Sequence, residues 1–414
     1  MIHDPAIFYD EVSGNYYTYS TGAICQKSKD LVHWQEIGKV VERPPQESVE
    51  WTGSEDIWAP DIVKVGKEYR LYCSNSSWGV RQSCIFLAVA DCPEGPFEPK
   101  GCVLKTTEKF PQSVTNAIDA NIIEDAKTGE QYMLYGSFWG GCHVLKLNKT
   151  TGFAEEEGIG VCIARRPKWQ SGSMEGPYMV YNAQNSYYYL FVSYGSLTRE
   201  GGYQMRVFRS KTVDGEYVDM NGAYPGMWDN NAAYGLKLSG NYYLPGLNKA
   251  YMATGHNSAF VDEDGKKYIV YHTRFDNGQE YHEPRVHQYF LNQDGWPCML
   301  PYATDGETIA ESGYDISEVA GTYYVINQGT AISARIAQPV KLVLMENGKV
   351  YGENLEGIWS MEQGTCYMTI TYGEKEYNGV FCQMKDEAGT DVMTFSAAGA
   401  DESCLLYTSP SPRD

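Results

Sequence analysis

The chain is marked by short stretches in which apolar and polar residues alternate. A Gly or Asn, then Tyr, then the alternation recurs five times: GNYYTYSTG from Gly14, GKEYRLYCSNS from Gly66, GEQYMLYGSF from Gly129, NSYYYLFVSYGS from Asn185 and GKKYIVYHTRF from Gly265. A period of two after a tight turn predicts the second strand of a hairpin in each case. A turn and an aromatic follow each stretch, at Trp34, Phe97, Phe153, Tyr217 and Trp296, and predict a later strand of the same unit. Repeats of about 50 to 80 residues with several strands each are propeller blades rather than coils of a solenoid. The expectation is an all-β chain with a five-bladed β-propeller over residues 1–305.

Beyond that point the texture changes. TYYVIN, VKLVLMENGKVY with its Asn-Gly turn, GIWSMEQ, CYMTITYGEKEYNGVF and VMTFSAA predict a small antiparallel β-barrel or sandwich over residues 306–403. The last residues, 404–414, hold two prolines and no strand period, and are expected to be a non-native tail outside the fold.

Composition narrows the partners. Thirty-three Lys and Arg against 53 Asp and Glu give a net charge of −20 with no basic block, which argues against nucleic acid or an anionic membrane. The longest apolar run, Cys84 to Ala90, is far short of the roughly 20 residues that cross a bilayer. The 34 Tyr and 9 Trp suit a cleft for a neutral glycan, where flat rings stack on sugar C–H faces. Eleven Cys show neither a CxxC pair nor a paired framework, so they read as buried thiols, which suit a reducing or anaerobic setting. The abrupt opening at Met1 is compatible with a removed leader and an extracellular or periplasmic site of action, the alternative being cytoplasmic.

The chemistry lies just ahead of the repeats. Asp4, Asp119, Glu175 and His256 stand 12 or 13 residues before the first Tyr of their units (Tyr16, Tyr132, Tyr187, Tyr268), and Asp61 stands 8 before Tyr69. Equivalent positions of a propeller converge on the central channel, so four carboxylates and one imidazole are expected at one mouth. Like charges crowded together raise one another's pKa and destabilise the fold, which points to function. Two carboxylates flanking a glycosidic bond are the minimal apparatus for its hydrolysis, one donating a proton and one activating water.

Asp-Pro near the start, SKDLVHW of Ser28–Trp34, WAPD of Trp58–Asp61, NAID of Asn116–Asp119 and the EGP of Glu175–Pro177 occur in that order, and the chain resembles glycoside hydrolase family 43. With GSFWGG of Gly136–Gly141, GHNS of Gly255–Ser258 and RVHQ of Arg285–Gln288, it is most similar within that family to endo-α-1,5-L-arabinanases carrying a C-terminal β domain. The resemblance implies a monomeric, inverting, five-bladed propeller enzyme acting on arabinan. It implies Asp4 as general base, Glu175 as general acid and Asp119 as the residue that tunes and orients the acid. Trp58, Asn116, Ser137, Trp139 and Arg285 match segments lining sugar subsites. His256 matches a channel histidine that contacts an ion, often calcium with mostly water ligands, and His272 is the lesser candidate. DEDG at 262–265 lacks the spacing of a calcium loop and reads as a hairpin turn. Exo-acting α-L-arabinofuranosidase or β-xylosidase activity is the alternative, and a non-catalytic glycan-binding propeller the second.

Overall fold

The computed structural model describes residues 2–106, 115–167, 172–224, 233–244, 247–353, 355–400 and 402–408. The fold is all-β and propeller-like, with a C-terminal β domain. Four-stranded antiparallel sheets cover Ala6–Lys39, Trp58–Lys105 and Asn121–Ala164, and a five-stranded one covers Tyr242–Met299. Between the last two, four strands from Met174 to Ser239 continue the series and then join the C-terminal domain in one larger sheet. The repeated Tyr stretches are strands, namely Asn15–Ser20, Glu68–Asn75, Gln131–Tyr135, Tyr187–Tyr194 and Lys267–Phe275.

One strand of each sheet faces a common axis. Ala6–Asp10, Trp58–Val65, Asn121–Glu124, Met174–Asn182 and Lys249–Val261 touch in that order, and the last meets the first. Apolar clusters fill the wedges between neighbours. Tyr19 packs with Leu71 and Phe86, Ile85 with Met133, Leu134 with Leu190 and Phe191 with Ile269. Ile7 and Leu31 of the first sheet pack with Tyr268, Val270 and Val286 of the last.

At the axis each sheet carries one residue with a left-handed backbone: Asp4 (φ 54°), Ala59 (33°), Asp119 (62°), Gly176 (57°) and His256 (47°). This conformation is uncommon outside glycine, and its recurrence at matching places marks a shared turn. Two residues further on, a side chain latches onto the next sheet. Asp61 accepts the N–H of Ile122 at 2.7 Å, Asn121 that of Met179 at 2.9 Å and Ser258 that of Ile7 at 3.1 Å. Asp61 therefore corrects the expected set of mouth carboxylates: it is two residues past the left-handed turn and bridges two sheets.

The C-terminal domain is a closed barrel of eight antiparallel strands, from Gly321–Asn327 to Glu402–Thr408, because the last strand pairs with both the first and the seventh. The tail is corrected accordingly: residues 404–408 belong to that closing strand, while 409–414 lie outside the described residues. A parallel pairing of Lys237 with Glu402 joins the barrel to the propeller-like part. Apolar contact continues the joint, with Tyr242 and Leu300 packed against Cys382 and Met384. DEDG is a turn, its Gly265 N–H donating to Asp262 O at 2.9 Å.

Candidate active site

The left-handed turns set their side chains at one mouth. Asp4, Asp119, Glu175 and His256 line a single cleft of about 400 Å³. Trp58, Asn116, Ser137 and Trp139 line it as well. Arg285 does not. It lies on Glu283–Leu291, the fourth of the five strands of the last sheet, paired with Glu283 at 3.0 Å and held over the Phe275 ring, which places it in packing away from the cleft.

Asp4 is the most constrained of the carboxylates. Its Oδ2 accepts the Thr21 hydroxyl at 2.6 Å and faces His3 Nδ1 at 2.7 Å. Its backbone N–H donates to His272 Nδ1 at 3.2 Å. Oδ1 lies 3.0 Å from His256 Nδ1, a charge contact, but takes no aligned hydrogen bond. Burial alone would raise the Asp4 pKa; the neighbouring His256 and His3 outweigh it and hold the carboxyl well below its ordinary value. Asp4 is thus ionised, with Oδ2 held by Thr21 and His3 and Oδ1 buried beside the His256 ring.

His256 is the counterpart. Burial favours its neutral ring, but Asp4, Asp119 and Glu175 push its pKa up to about 10, so it is an imidazolium. Asp119 is raised to about 7 by burial, opposed by His256 and reinforced by Glu175 and Asp4. Its Oδ2 accepts the N–H of Gly176 at 3.2 Å, which ties it to the residue after Glu175. Glu175 accepts the Tyr203 hydroxyl on Oε1 at 2.7 Å and the Ser137 hydroxyl on Oε2 at 2.9 Å. Asn116 Oδ1 is taken by the Ser83 hydroxyl at 2.7 Å.

Four contributors were missed in the sequence. His3 and Thr21 hold the Asp4 carboxylate, and the adjacency of His3 to Asp4 was the available signal. Tyr203, in a Gly-Gly-Tyr segment without strand period, carries none. Trp78 lines the cleft with 75% of its surface exposed, and its place directly after the second repeat could have flagged it.

His256 Nδ1 lies 3.0 Å from Asp4 Oδ1, and calcium takes about six to eight oxygen ligands, so the ring by itself is not a calcium site and most ligands would be water. The ring nitrogens open to a cation belong to His3, His272 and His282, whose ligand atoms lie within 4.8 Å of one another. His3 Nε2, His272 Nε2 and both nitrogens of His282 are buried without a hydrogen-bond partner. Yet the Asp4 N–H on His272 Nδ1 puts that ring's proton on Nε2, so this trio is a nitrogen-rich and incomplete donor set.

The family model described as Glycosyl hydrolases family 43 matches residues 1–297, and one described as a C-terminal lipocalin-like domain matches residues 301–407. The chain is 37% identical over 434 residues to the extracellular endo-α-(1→5)-L-arabinanase 2 of Bacillus subtilis, covering 95% of this chain and 90% of the relative. The crystal structure of an endo-1,5-α-L-arabinanase from Thermotoga petrophila superposes with a TM-score of 0.90 at 32% identity, over 99% of this chain and 98% of the other. A Cellvibrio cellulosa α-L-arabinanase complexed with arabinohexaose superposes with a TM-score of 0.61 at 28% identity, over 72% of this chain and 95% of the other. The chain belongs to glycosyl hydrolases family 43.

Proposed function

We propose that this protein hydrolyses internal α-1,5-L-arabinofuranosidic linkages of arabinan, as a monomer outside the cell, through a single displacement that inverts the anomeric centre. The observation that carries this reading is one cleft lined by Asp4, Asp119 and Glu175. The catalytic domain is taken as residues 1–305, with its five sheets as five blades, and the barrel as residues 306–408.

In this mechanism Glu175 gives its proton to the departing O5 of the next arabinose. The Asp4 carboxylate, which lines the cleft, takes a proton from a water that attacks C1 from the opposite face. Thr21 and His3 fix the carboxylate through Oδ2, and the His256 imidazolium keeps it ionised. Asp119 orients the acid's segment through the Gly176 N–H. Trp58, Asn116 and Trp139 supply the walls on which sugar rings rest. A calcium ion, in this reading, would sit in the channel beside His256 with mostly water ligands, and no step is routed through it.

Two measurements on linear arabinan test the reading. NMR of the first-formed anomer is expected to show inversion, and retention would overturn the assignment of Asp4 as base. Early products are expected to be oligosaccharides of mixed length; arabinose alone from the first turnovers would make the enzyme exo-acting.

A further inference from the structure

We propose that the segment 328–334, which links the first and second strands of the barrel, positions Glu175 for catalysis by bracing the loop that carries Tyr203. The proposal rests on Glu175 being the proton donor. Tyr203 is fully buried and gives its hydroxyl to Glu175 at 2.7 Å, while its ring stacks on His272. Burial raises the phenol far above its ordinary pKa, so it is a donor at all working pH.

The residues before Tyr203 form a loop that lines the cleft through Ser196 and Leu197 and closes on itself by the Ser196 N–H to Gly201 O at 2.9 Å. Against its back lies the strap from the C-terminal domain. Gly202 has φ +70°, and a Cβ there would stand 3.0 Å from the Ser333 backbone, so the two chains meet with no side chain between them.

On either side of that contact, buried donors hold the strap's carbonyls. Gln204 Nε2 donates to Ala331 O at 3.3 Å, and Arg206 Nη2 donates to Thr330 O. Lys237 Nζ donates to Gln328 O at 2.9 Å and Ala331 O at 3.0 Å, and Asn241 Nδ2 to Ala334 O at 2.9 Å. The Gln328 side chain returns the grip by accepting the Gly240 N–H at 3.1 Å. Arg206 is fully buried and Lys237 is 5% exposed. Burial lowers the Lys237 pKa to about 7, and moving the strap would leave its buried amine without the Gln328 and Ala331 carbonyls it donates to. These bonds hold the strap where it backs Tyr203, and the barrel acts on the chemistry through this contact.

The test compares Lys237→Met, Tyr203→Phe and the double variant of the full chain on linear arabinan. Tyr203→Phe is expected to lower kcat about tenfold, the worth of one hydrogen bond to a charged group. It should also move the basic limb of the kcat/KM profile to higher pH, because a donor to the charged carboxylate is lost. Lys237→Met should lower kcat and move the same limb in the same direction, with KM changed by less than about twofold. In the double variant the loss should be no greater than in Tyr203→Phe alone. A Lys237→Met protein with wild-type kcat and basic limb, or losses that multiply in the double variant, overturns the proposal. If Lys237→Met does not fold by circular dichroism, Gln328→Ala is measured in its place with the same expectations. A basic limb that stays put in Tyr203→Phe itself refutes Glu175 as donor, which is a separate failure.

Discussion

Ser258 holds Ile7 by the backbone, accepting its N–H at 3.1 Å while donating its own hydroxyl to Pro5 O at 2.6 Å. The two residues belong to the last and first sheets, which exchange no strand. The ring is therefore closed by this latch and by the Ile7, Tyr268 and Val286 cluster. Pro5 directly follows Asp4, so the seam of the fold and the proposed base are the same place.

Replacing Ser258 by Ala leaves the Ile7 N–H buried and unpaired. The expected cost is about 1–3 kcal/mol, seen as a lower Tm, with Asn121→Ala as the comparison at an interior joint. The seam variant should also lose activity at temperatures where the Asn121 variant retains it, because only Ser258 grips the segment carrying Asp4. Equal losses of activity in both variants would separate the seam from the site.

The buried pair of Asp4 and His256 makes stability depend on pH in a defined window. Asp4 is depressed below its ordinary 3.8, so its contribution is complete above that pH and fades as pH falls through the lower folded value. His256 is raised from 6.5 to about 10, so its contribution is complete below 6.5 and is lost as pH rises toward 10. Between 3.8 and 6.5 both are at full strength. His3, His272, Asp119 and Glu175 also face the pair. The measurement is the difference in unfolding free energy between wild type and His256→Gln, at pH 6, 8 and 10. It should shrink steadily over that range; a constant difference would mean the ring is neutral.

Much of this architecture was legible because the Tyr-led strands alternate cleanly after glycine turns, as in GKEYRLYCSNS and GKKYIVYHTRF. Asp4, Asp119 and His256 were aligned correctly since each occupies the left-handed turn itself. Glu175 stands one residue before its turn and still reaches the cleft. Asp61 stands two after and does not, and no residue count resolves an offset that small. Arg285 was misplaced because its segment was matched by motif, without the strand direction that turns it from the cleft. The closing strand of the barrel escaped notice because LLYT is too short to show a period. Tyr203 has no pattern at all, being placed by the approach of a strap more than a hundred residues later in the chain.

Removing the Glu175 carboxyl, by Glu175→Ala, should lower turnover on arabinan by about 10² to 10⁴. The loss should nearly vanish on an aryl arabino-oligosaccharide whose phenolate departs without a proton. Asp4→Ala, which removes the base, should be equally impaired on both substrates. An equal loss for Glu175→Ala on both would assign it a role other than proton donor.

Trp78 offers the clearest reading of how the enzyme grips a polymer. It sits between Asn75 and Ser83 in a segment whose Ser76, Ser77, Gly79 and Val80 all line the cleft, yet 75% of its surface meets solvent. So large an exposed ring adds nothing to a core, and an indole flat on a cleft rim is a platform for a sugar face. Because it rests on little protein, Trp78→Ala should leave Tm unchanged. Losing one stacking contact of about 1 kcal/mol should raise KM for arabinan about fivefold with kcat nearly constant. A rim residue touches only chains long enough to reach it, so the effect should grow with oligosaccharide length and be absent for the shortest substrate cleaved. An increase in KM that is the same at every length would place the indole next to the scissile bond instead.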